Sequence, residues 1–368
     1  MASFQKRGKT WQYTISRMVN GKPDPIRKGG FATKAEAKAA ATEIESSLNK
    51  GIVPHLKPEP FDKYFANWVK VYKKGIGKNT LARYLTTQQT IDEHFAGIPI
   101  QNITKRAYQE FLNKYAENHA KDTTRKLNTH IRACIRDAID EGIIQVDFTR
   151  GAVLSGSKAA KRPEEKHLNY FDSKRLLRAL DQPTERSHYL ILLGLTSGMR
   201  YAEMVGLTRD DFNFEKNEIT VNKSWGYTSK MHEGHGPTKN EQSVRKIKMD
   251  NKTMEKFKTW FDSAPDNIHR LVFYSPESKY KVLSNGGANK TLAALLNRLN
   301  IESISIHGLR HTHASILLYK KVSIYYVSER LGHGDIDTTM KHYAHIIKEL
   351  REQDEKATVA VFGELTAV

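Results

Sequence analysis

Cysteine and long apolar runs are what this sequence lacks. Its single cysteine, Cys134, excludes a disulfide framework and any zinc site built from cysteines. No apolar run is long enough to cross a bilayer, and Met1 to Thr10 is polar and basic, unlike a signal peptide. We therefore expect a cytoplasmic protein with no membrane partner. Ile131 and Ile135 stand at helical spacing around Cys134, so we predict that it is a small buried core residue.

The sequence also has fewer acidic than basic residues. It contains 41 Asp and Glu and 59 Lys and Arg, which gives a net charge of +18. The excess runs through the whole length, so it favours a polyanionic partner over a simple surplus for solubility. An anionic membrane surface is the weaker alternative, because no strongly basic amphipathic helix stands out. A hydrophobic content of 39% with 27% charged residues is typical of a folded globular protein rather than a disordered one.

The N-terminal residues 1–55 have the pattern of a small separate module. Alternation from Trp11 to Met18 predicts a strand, and the turn signal Asn20-Gly21 lets the following segment pair back on it. Thr33 and Glu36 form a capping box at the start of a helix. We predict a three-stranded sheet with one helix. Its exposed cations either enter a DNA groove or form a solvated basic surface.

Residues 60–153 are helical throughout and predict a compact bundle of four amphipathic helices. The predicted core stripe of the second helix consists of Leu81, Tyr84, Leu85, Ile91 and Phe95. Basic residues here and in the N-terminal module are the predicted DNA contacts, although each one alone is more often a solvated side chain. These predicted contacts are Lys6, Arg7, Arg17, Arg27, Lys78, Arg83, Arg125 and Lys126.

The rest of the chain divides into a linker, a larger domain and a tail. Residues 154–168 have the composition of a flexible basic linker. Residues 169–347 mix helical and strand patterns, and residues 348–368 end in a short apolar segment, Thr358 to Phe362. The fold class predicted for the whole chain is multidomain and mainly α, with small β elements.

In the larger domain, Asp172 is the predicted cap of the first helix, and residues 187–198 form a buried apolar helix. Two strands, Ile219–Trp225 and Ser243–Met249, are predicted on either side of a loop, residues 226–242.

Chemistry-bearing residues concentrate between Ile306 and Tyr343. This stretch is dense in imidazoles, carries the guanidinium of Arg310 and ends on a tyrosine. An arginine can hold the non-bridging oxygens of a phosphodiester, histidines can donate hydrogen bonds or move protons, and a hydroxyl can attack. His307 and Arg310 are three residues apart on a predicted helix that Ser305 caps, so they share a face.

A second arginine, Arg200, provides another guanidinium group that can bind a phosphate. Arg200 stands at the start of a helix whose N-terminus Glu203 complements, just after Gly198, the predicted end of the preceding helix. Two arginines can hold both non-bridging oxygens of one phosphate and offset the charge that grows in the transition state. Lys239, in the loop between the predicted strands, can protonate a leaving oxygen, although solvent exposure is the default for such a lysine.

The other histidines considered in this stretch, and its tyrosine, are expected to differ in their environments. His333 follows Gly332, the predicted stop of a helix, so we expect it to be exposed at the helix break. Tyr343 lies among polar neighbours, and on its own it would be a half-buried structural residue. His311 and His313 suggest a metal, but no carboxylate stands at ligand spacing among them. We therefore predict packing roles for both, with no metal and no cofactor.

Taken in order, the motifs around these residues resemble those of the tyrosine recombinase (phage integrase) family. The resemblance covers about residues 170–347. It extends more weakly to the helical bundle and the N-terminal module, which resemble the SAM-like core-binding and arm-binding domains of lambda-type integrases from temperate phages and conjugative transposons. One such motif is weak evidence, but six in register are specific. The six matching positions are Arg200, Lys239, His307, Arg310, His333 and Tyr343.

The resemblance implies a mechanism for DNA cleavage. Tyr343 attacks the scissile phosphate and forms a 3′-phosphotyrosyl link, which releases a 5′-hydroxyl. Arg200 and Arg310 hold the phosphate. Lys239 is the implied general acid for the leaving oxygen, and His307 is the implied acid or base near the nucleophile. A tyrosine has an unperturbed pKa near 10, so it needs a cationic surrounding to act as a nucleophile.

The resemblance also implies partners. His333 would hydrogen-bond the phosphate of a double-stranded attachment site, and a homo-tetramer would join two such sites. The apolar tail would dock on a neighbouring protomer, and an excisionase and a host DNA-bending protein would assist. Integration and excision of a mobile element would then need neither metal nor ATP.

Three alternatives stay open from the sequence. A type IB topoisomerase shares the arginine, lysine, histidine and tyrosine chemistry, although the N-terminal module and the apolar tail argue against it. A DNA-binding regulator would never cleave. A histidine–metal nuclease would lose activity in a chelator.

Overall fold

The structure is a computed structural model. It describes residues 2–19, 22–49, 58–159, 166–337 and 339–340. The chain divides into two compact units, Met1–Ala160 and Lys161–Val368. The predicted nucleophile Tyr343, the predicted tail over residues 348–368 and the turn Asn20-Gly21 lie outside the described residues.

The first unit begins with a small antiparallel sheet and one helix. Its elements are β1 (Ala2–Arg7), β2 (Thr10–Ile15), β3 (Met18–Val19), β4 (Lys22–Pro23), β5 (Ile26–Phe31) and α1 (Lys34–Asn49). The sheet order is β1-β2-β5, and β3 pairs with β4 in a hairpin of its own. The predicted three-stranded sheet with one helix is confirmed, but the single strand predicted from Trp11 to Met18 is wrong. It ends at Ile15, and Met18 belongs to the separate hairpin.

Residue alternation distributes the side chains of this sheet over two faces. Tyr13, Ile15 and Ile26 are buried in one cluster with apolar residues of α1. Arg27 pairs with Thr14, between the two buried β2 residues, so Arg27 lies on the opposite, open face. Arg7 pairs with Thr10 and has the same orientation as Thr14, whereas Lys6 has the orientation of the face that α1 covers. Among the described residues, α1 packs on the face of Tyr13, Ile15 and Ile26, and the other face, called the open face below, carries Arg7 and Arg27.

Four α-helices follow in the described part of the first unit. They are α2 (Phe61–Tyr72), α3 (Lys78–Phe95), α4 (Lys105–Ala116) and α5 (Lys121–Asp140). The predicted bundle is confirmed, and Thr104 caps α4 by accepting a hydrogen bond from the Ala107 amide. Cys134 is fully buried in the bundle core, as predicted. Leu85 was placed wrongly on the core stripe of α3, since its side chain is 55% exposed while Ile91 and Phe95 are buried.

In its described part, the second unit mixes helices with two small sheets. Its helices are α6 (Tyr170–Ala179), α7 (Arg186–Ser197), α8 (Tyr201–Val205), α9 (Asn251–Ser263), α10 (Asn285–Arg298), α11 (Ile306–Tyr319) and α12 (Ile324–Leu331). Its strands are β6 (Phe212–Asn213), β7 (Glu218–Val221), β8 (Ser224–Trp225), β9 (His235–Gly236) and β10 (Arg245–Lys248). One sheet has the order β10-β7-β6, and β8 pairs with β9. Among the described residues, no helix is long and apolar enough to span a membrane.

Three local predictions in this unit need correction. Asn169, rather than Asp172, caps α6, because its side chain accepts a hydrogen bond from the Asp172 amide. The strand predicted over Ile219–Trp225 is two strands in different sheets, since β7 pairs with β10 and Trp225 pairs with His235. The predicted loop 226–242 consequently contains a strand, β9. Sequence alternation did not reveal these changes of partner.

The bundle core gives a stability prediction. Leu112 on α4 is 1% exposed and Leu85 on α3 is 55% exposed. Leu112→Ala should lower the free energy of unfolding by about 2–5 kcal/mol, because it removes buried methyl groups and leaves a cavity. Leu85→Ala, the same chemical change on an exposed site, should change it by less than about 0.5 kcal/mol. Urea denaturation measures both, and equal losses would contradict this core.

Candidate active site

The end of α7 begins the site. Gly198 has φ +69° and terminates the helix in the left-handed conformation. A Cβ at this position would stand 2.7 Å from Cδ2 of His313, so a side chain is excluded by space as well as by backbone conformation. Arg200 then precedes α8, and its amide donates a hydrogen bond to Glu203 Oε2 at 3.0 Å. The predicted helix end and helix start are both confirmed.

Three hydrogen bonds hold the guanidinium of Arg200. Nη1 donates to Glu203 Oε1 at 2.7 Å and to Ser243 Oγ at 3.0 Å, and Nη2 donates to the Gly332 carbonyl at 2.8 Å. These bonds use three of the five N–H donors of the side chain. The side chain is 21% exposed, so it is fixed from the protein side while part of it faces outward.

Glu203 is a buried carboxylate between two guanidinium groups. It is 2% exposed, and Arg245 Nη2 donates to its Oε2 at 3.0 Å in addition to the contacts from Arg200. Burial by itself raises the pKa of this carboxyl, but the charges of Arg245 and Arg200 outweigh it and lower the pKa below its usual value. Glu203 is therefore ionised at neutral pH and neutralises one of the two positive charges beside it.

Arg310 reaches the same region from α11. Ser305 caps this helix, as predicted, by accepting a hydrogen bond from the Gly308 amide. Arg310 is 3% exposed, and its Nη1 donates to the Gly198 carbonyl at 2.8 Å, two residues before Arg200. His307, one turn earlier on α11, is exposed, and its ring packs edge-on against another α11 histidine.

The turn after α12 carries His333. Gly332 has φ +67° and ends the helix, as predicted. A Cβ on Gly332 would stand 3.0 Å from the carbonyl oxygen of Gln242, so the turn lies against the segment that precedes β10. His333 is half-buried rather than exposed as predicted, and its Nδ1 is 2.6 Å from Oγ1 of the buried Thr339. The ring is therefore oriented by a residue six positions further along the chain.

Lys239 lies on an exposed loop that is anchored at its base. Its side chain is exposed, as expected. The next residue, Asn240, accepts a hydrogen bond from the Ser243 hydroxyl, and Thr238 Oγ1 donates to the Asn240 carbonyl at 2.9 Å. Since Ser243 also accepts from Arg200, the lysine loop and Arg200 share an anchor.

His313 and Arg330 join the helices behind the site. Arg330 Nε donates to His313 Nε2 at 3.0 Å, so the proton of the neutral ring is on Nδ1, which donates to the Leu195 carbonyl at 2.9 Å. Burial, with the charge of Arg330 second, lowers the pKa of His313 to about 3. His313 is thus a buried neutral residue that links α11 to α7, which agrees with the packing role predicted for it.

The structure brings together the segments that carry Arg200, Arg310 and His333, and sequence reasoning missed the residues that connect them. Arg245 could have been found, because on its strand it has the orientation of the buried Ile247. An arginine on the buried side of a strand requires partners. The sequence gives no comparable signal for Arg330 or for Ser243.

The residues predicted to contact DNA differ in their ion pairs and in their exposure. Two of them are ion-paired, Arg17 with Asp24 and Arg125 with Asp122. The side chains that are exposed are Lys6, Arg7, Arg27, Lys78, Arg83, Arg125 and Lys126. In the described part of the chain, no group of three His, Cys, Asp or Glu side chains is arranged to hold a metal ion.

The low pKa of His313 gives a pH-dependent prediction. Between pH 7 and pH 5 the unfolded chain protonates this residue, while the folded protein, with a pKa of about 3, does not. The unfolded state gains protons, so wild-type stability falls as the pH falls. His313→Gln should be less stable at pH 7, and its deficit should shrink by about 2 kcal/mol at pH 5. Urea denaturation at both pH values measures this, and a deficit independent of pH would contradict the buried neutral histidine.

The chain is similar to known proteins along most of its length. The pattern of the "Phage integrase family" matches residues 166–349, an "Arm DNA-binding domain" matches residues 3–48, and a "Phage integrase, N-terminal SAM-like domain" matches residues 60–116. This chain is 25% identical to a "Tyrosine recombinase XerC-like" protein of Caldanaerobacter subterraneus subsp. tengcongensis, over 94% of this chain and 95% of that protein. It is 23% identical to the integrase of Staphylococcus phage L54a, over 87% and 98%.

Its fold is also similar to that of the Tn1549 transposon integrase in complex with transposon right end DNA. The TM-score is 0.67 at 16% identity, over 81% of this chain and 99% of that one. The matching family patterns agree with the family predicted from six sequence positions. The chain belongs to the phage integrase family, the tyrosine recombinases, which cut and rejoin DNA strands.

Proposed function

We propose that this recombinase acts at specific attachment sites to integrate and excise a mobile element, with Tyr343 as its nucleophile. The observation that carries the proposal is the meeting of three segments around Gly198. Arg310 donates to the Gly198 carbonyl, and Arg200 donates to the Gly332 carbonyl next to His333. Two guanidinium groups and an imidazole so arranged suit the oxygens of one phosphate.

The proposed reaction begins when the Tyr343 oxygen attacks the scissile phosphorus. The new P–O bond forms as the bond from phosphorus to the 5′ oxygen of the next nucleotide breaks. His307 accepts the tyrosine proton, and Lys239 donates a proton to the leaving 5′ oxygen. Attack by the freed 5′-hydroxyl of a second strand reverses these steps and joins the strands. The covalent link conserves the phosphodiester bond energy, so ATP is not consumed.

Arg200 and Arg310 bind the non-bridging oxygens during both steps. Arg200 uses three donors to hold its own position, and its two other N–H groups are those proposed to bind the phosphate. A Thr339 hydroxyl that donates to Nδ1 of His333 leaves the ring proton on Nε2, which then donates to the phosphate. No cofactor and no metal enters this scheme.

The first unit would provide DNA affinity and site selection. The open face of the N-terminal sheet carries Arg7 and Arg27 and would enter a groove of arm-site DNA. Lys78, Arg83 and Lys126 on the bundle would contact core-site phosphates. The net charge of +18 supports a polyanionic partner.

Assembly would follow the pattern of lambda-type integrases. Four copies on two synapsed sites, an excisionase and a host DNA-bending protein are the proposed partners, and the cytoplasm is the proposed location. Exchange of the apolar tail over Thr358–Phe362 between protomers would connect the tetramer, since an apolar tail is costly to leave in water.

Trapping the covalent intermediate tests the nucleophile. Duplexes of randomised sequence with a nick near the cleavage position release the short 5′-hydroxyl strand, so each cleavage leaves a denaturant-resistant protein–DNA adduct. The wild-type protein should yield adducts, and the captured sequence then serves as a defined half-site. Tyr343→Phe should bind this half-site equally and form no adduct, because it lacks only the attacking oxygen.

Other outcomes of this experiment identify the alternatives. An adduct that persists in Tyr343→Phe would disprove the assignment. DNA binding without any wild-type adduct would indicate a regulator, and loss of cleavage in a chelator would indicate a metal nuclease. Relaxation of supercoiled plasmid without joining of two sites would indicate a topoisomerase.

The open face of the sheet gives a separate binding prediction. Arg7→Ala and Arg27→Ala, made separately in the full chain, should each weaken DNA binding and lower the slope of log K against log salt by about 1, because one phosphate contact is lost in each. Lys6→Ala, on the side that α1 covers, should change the slope by less than about 0.5. Titrations at several salt concentrations measure this, and equal effects at the three positions would contradict DNA binding by the open face.

A further inference from the structure

We propose that Arg245 is a positioning residue for cleavage, which keeps Arg200 available to the phosphate and fixes the turn before His333. The inference rests on the proposed function of Arg200 and His333. Arg245 itself acts from behind the site and would not touch DNA. Its side chain is only 6% exposed.

All three guanidinium nitrogens of Arg245 have a different partner. Nε donates to the Arg330 carbonyl at 2.6 Å, Nη1 donates to the Ser243 carbonyl at 2.7 Å, and Nη2 donates to Glu203 Oε2 at 3.0 Å. These partners belong to the end of α12, to the segment before β10 and to α8. One planar side chain therefore joins three segments that lie next to proposed catalytic residues in the sequence.

The contact with Glu203 sets the charge that faces the phosphate. The carboxylate has one negative charge, and Arg200 and Arg245 have two positive charges, so the trio retains a net positive charge. Without Arg245, the buried Glu203 would be neutralised by Arg200 alone. Little net charge would then remain to offset the negative charge of the transferring phosphoryl group. Arg245 thus contributes to phosphate stabilisation without touching the phosphate.

The two carbonyl contacts set the geometry. The Arg330 carbonyl lies two residues before Gly332, whose own carbonyl accepts from Arg200. The Ser243 carbonyl belongs to the residue that anchors the loop of Lys239. A lysine has one nitrogen and cannot reproduce the planar arrangement of three donors, so Arg245→Lys restores the charge but only part of the geometry.

The test compares Arg245→Met and Arg245→Lys with a matched control, Arg270→Met. Arg270 also pairs with a carboxylate, Asp210 at 2.8 Å, but its side chain is 54% exposed. Each full-length variant is measured for urea unfolding, for affinity to the captured half-site and for the single-turnover rate of adduct formation at saturating DNA. The substrates carry either a normal phosphodiester or a neutral methylphosphonate at the scissile position.

Arg245→Met should retain half-site affinity within about threefold and lose about 100-fold in the rate of adduct formation on the phosphodiester. On the methylphosphonate, where the transferring group has less charge to offset, the loss should be about tenfold or less. Arg245→Lys should recover part of the phosphodiester rate, and Arg270→Met should behave as wild type. If Arg245→Met fails to fold, the comparison of the two substrates is made with Arg245→Gln, which also removes the charge but keeps a polar side chain.

The inference is overturned if the charge-removing variant loses the same factor on both substrates, if the loss follows stability or DNA affinity, or if the phosphodiester rate is unchanged. Failure of the proposed function is a different result. In that case the wild-type protein itself forms no adduct on the phosphodiester, whatever the behaviour of Arg245.

Discussion

A buried carboxylate shared by two guanidinium groups is the interaction on which the candidate site depends. Glu203 is ionised inside the protein because Arg200 and Arg245 contact it, since an unpaired buried charge is costly. The same carboxylate also accepts from the Arg200 amide and so determines where α8 begins. The start of α8 and the orientation of Arg200, the proposed phosphate-binding arginine, therefore depend on the same carboxylate.

Much of the fold could be predicted because its signals are local. Capping residues such as Thr104 and Ser305 and the stop at Gly332 act within one helical turn, and the sequence shows them directly. Strand partners are decided by distant residues, so the division of the predicted strand Ile219–Trp225 between two sheets was missed. The prediction that Leu85 is buried was wrong for a related reason. Helical periodicity does not show how far the neighbouring helices cover a helix face, so it does not show that Leu85 is exposed.

The residues of the candidate site could be predicted from the sequence, but the hydrogen bonds that hold them could not. The family positions follow from motif order, whereas the Arg330 carbonyl accepts from Arg245 and the Ser243 hydroxyl accepts from Arg200, and sequence motifs do not show such contacts. His313 shows the opposite limit. It lies in a histidine-rich run that suggests reactivity, yet burial makes it a neutral structural link. The chemical type of a residue makes it a candidate for catalysis. Its burial and its hydrogen-bond partners determine whether it can react or has a structural role.

The order of the network along the chain has a consequence for biosynthesis. Arg200 is held by Glu203, Ser243 and Gly332, so its position is complete only after α12 has been made. Domains fold as units during translation, with N-terminal parts first. The sheet and the bundle can thus fold on the ribosome before the hydrogen bonds of Arg200 are complete. A chain released before α12 would contain the folded first unit but would lack the Gly332 carbonyl that holds Arg200.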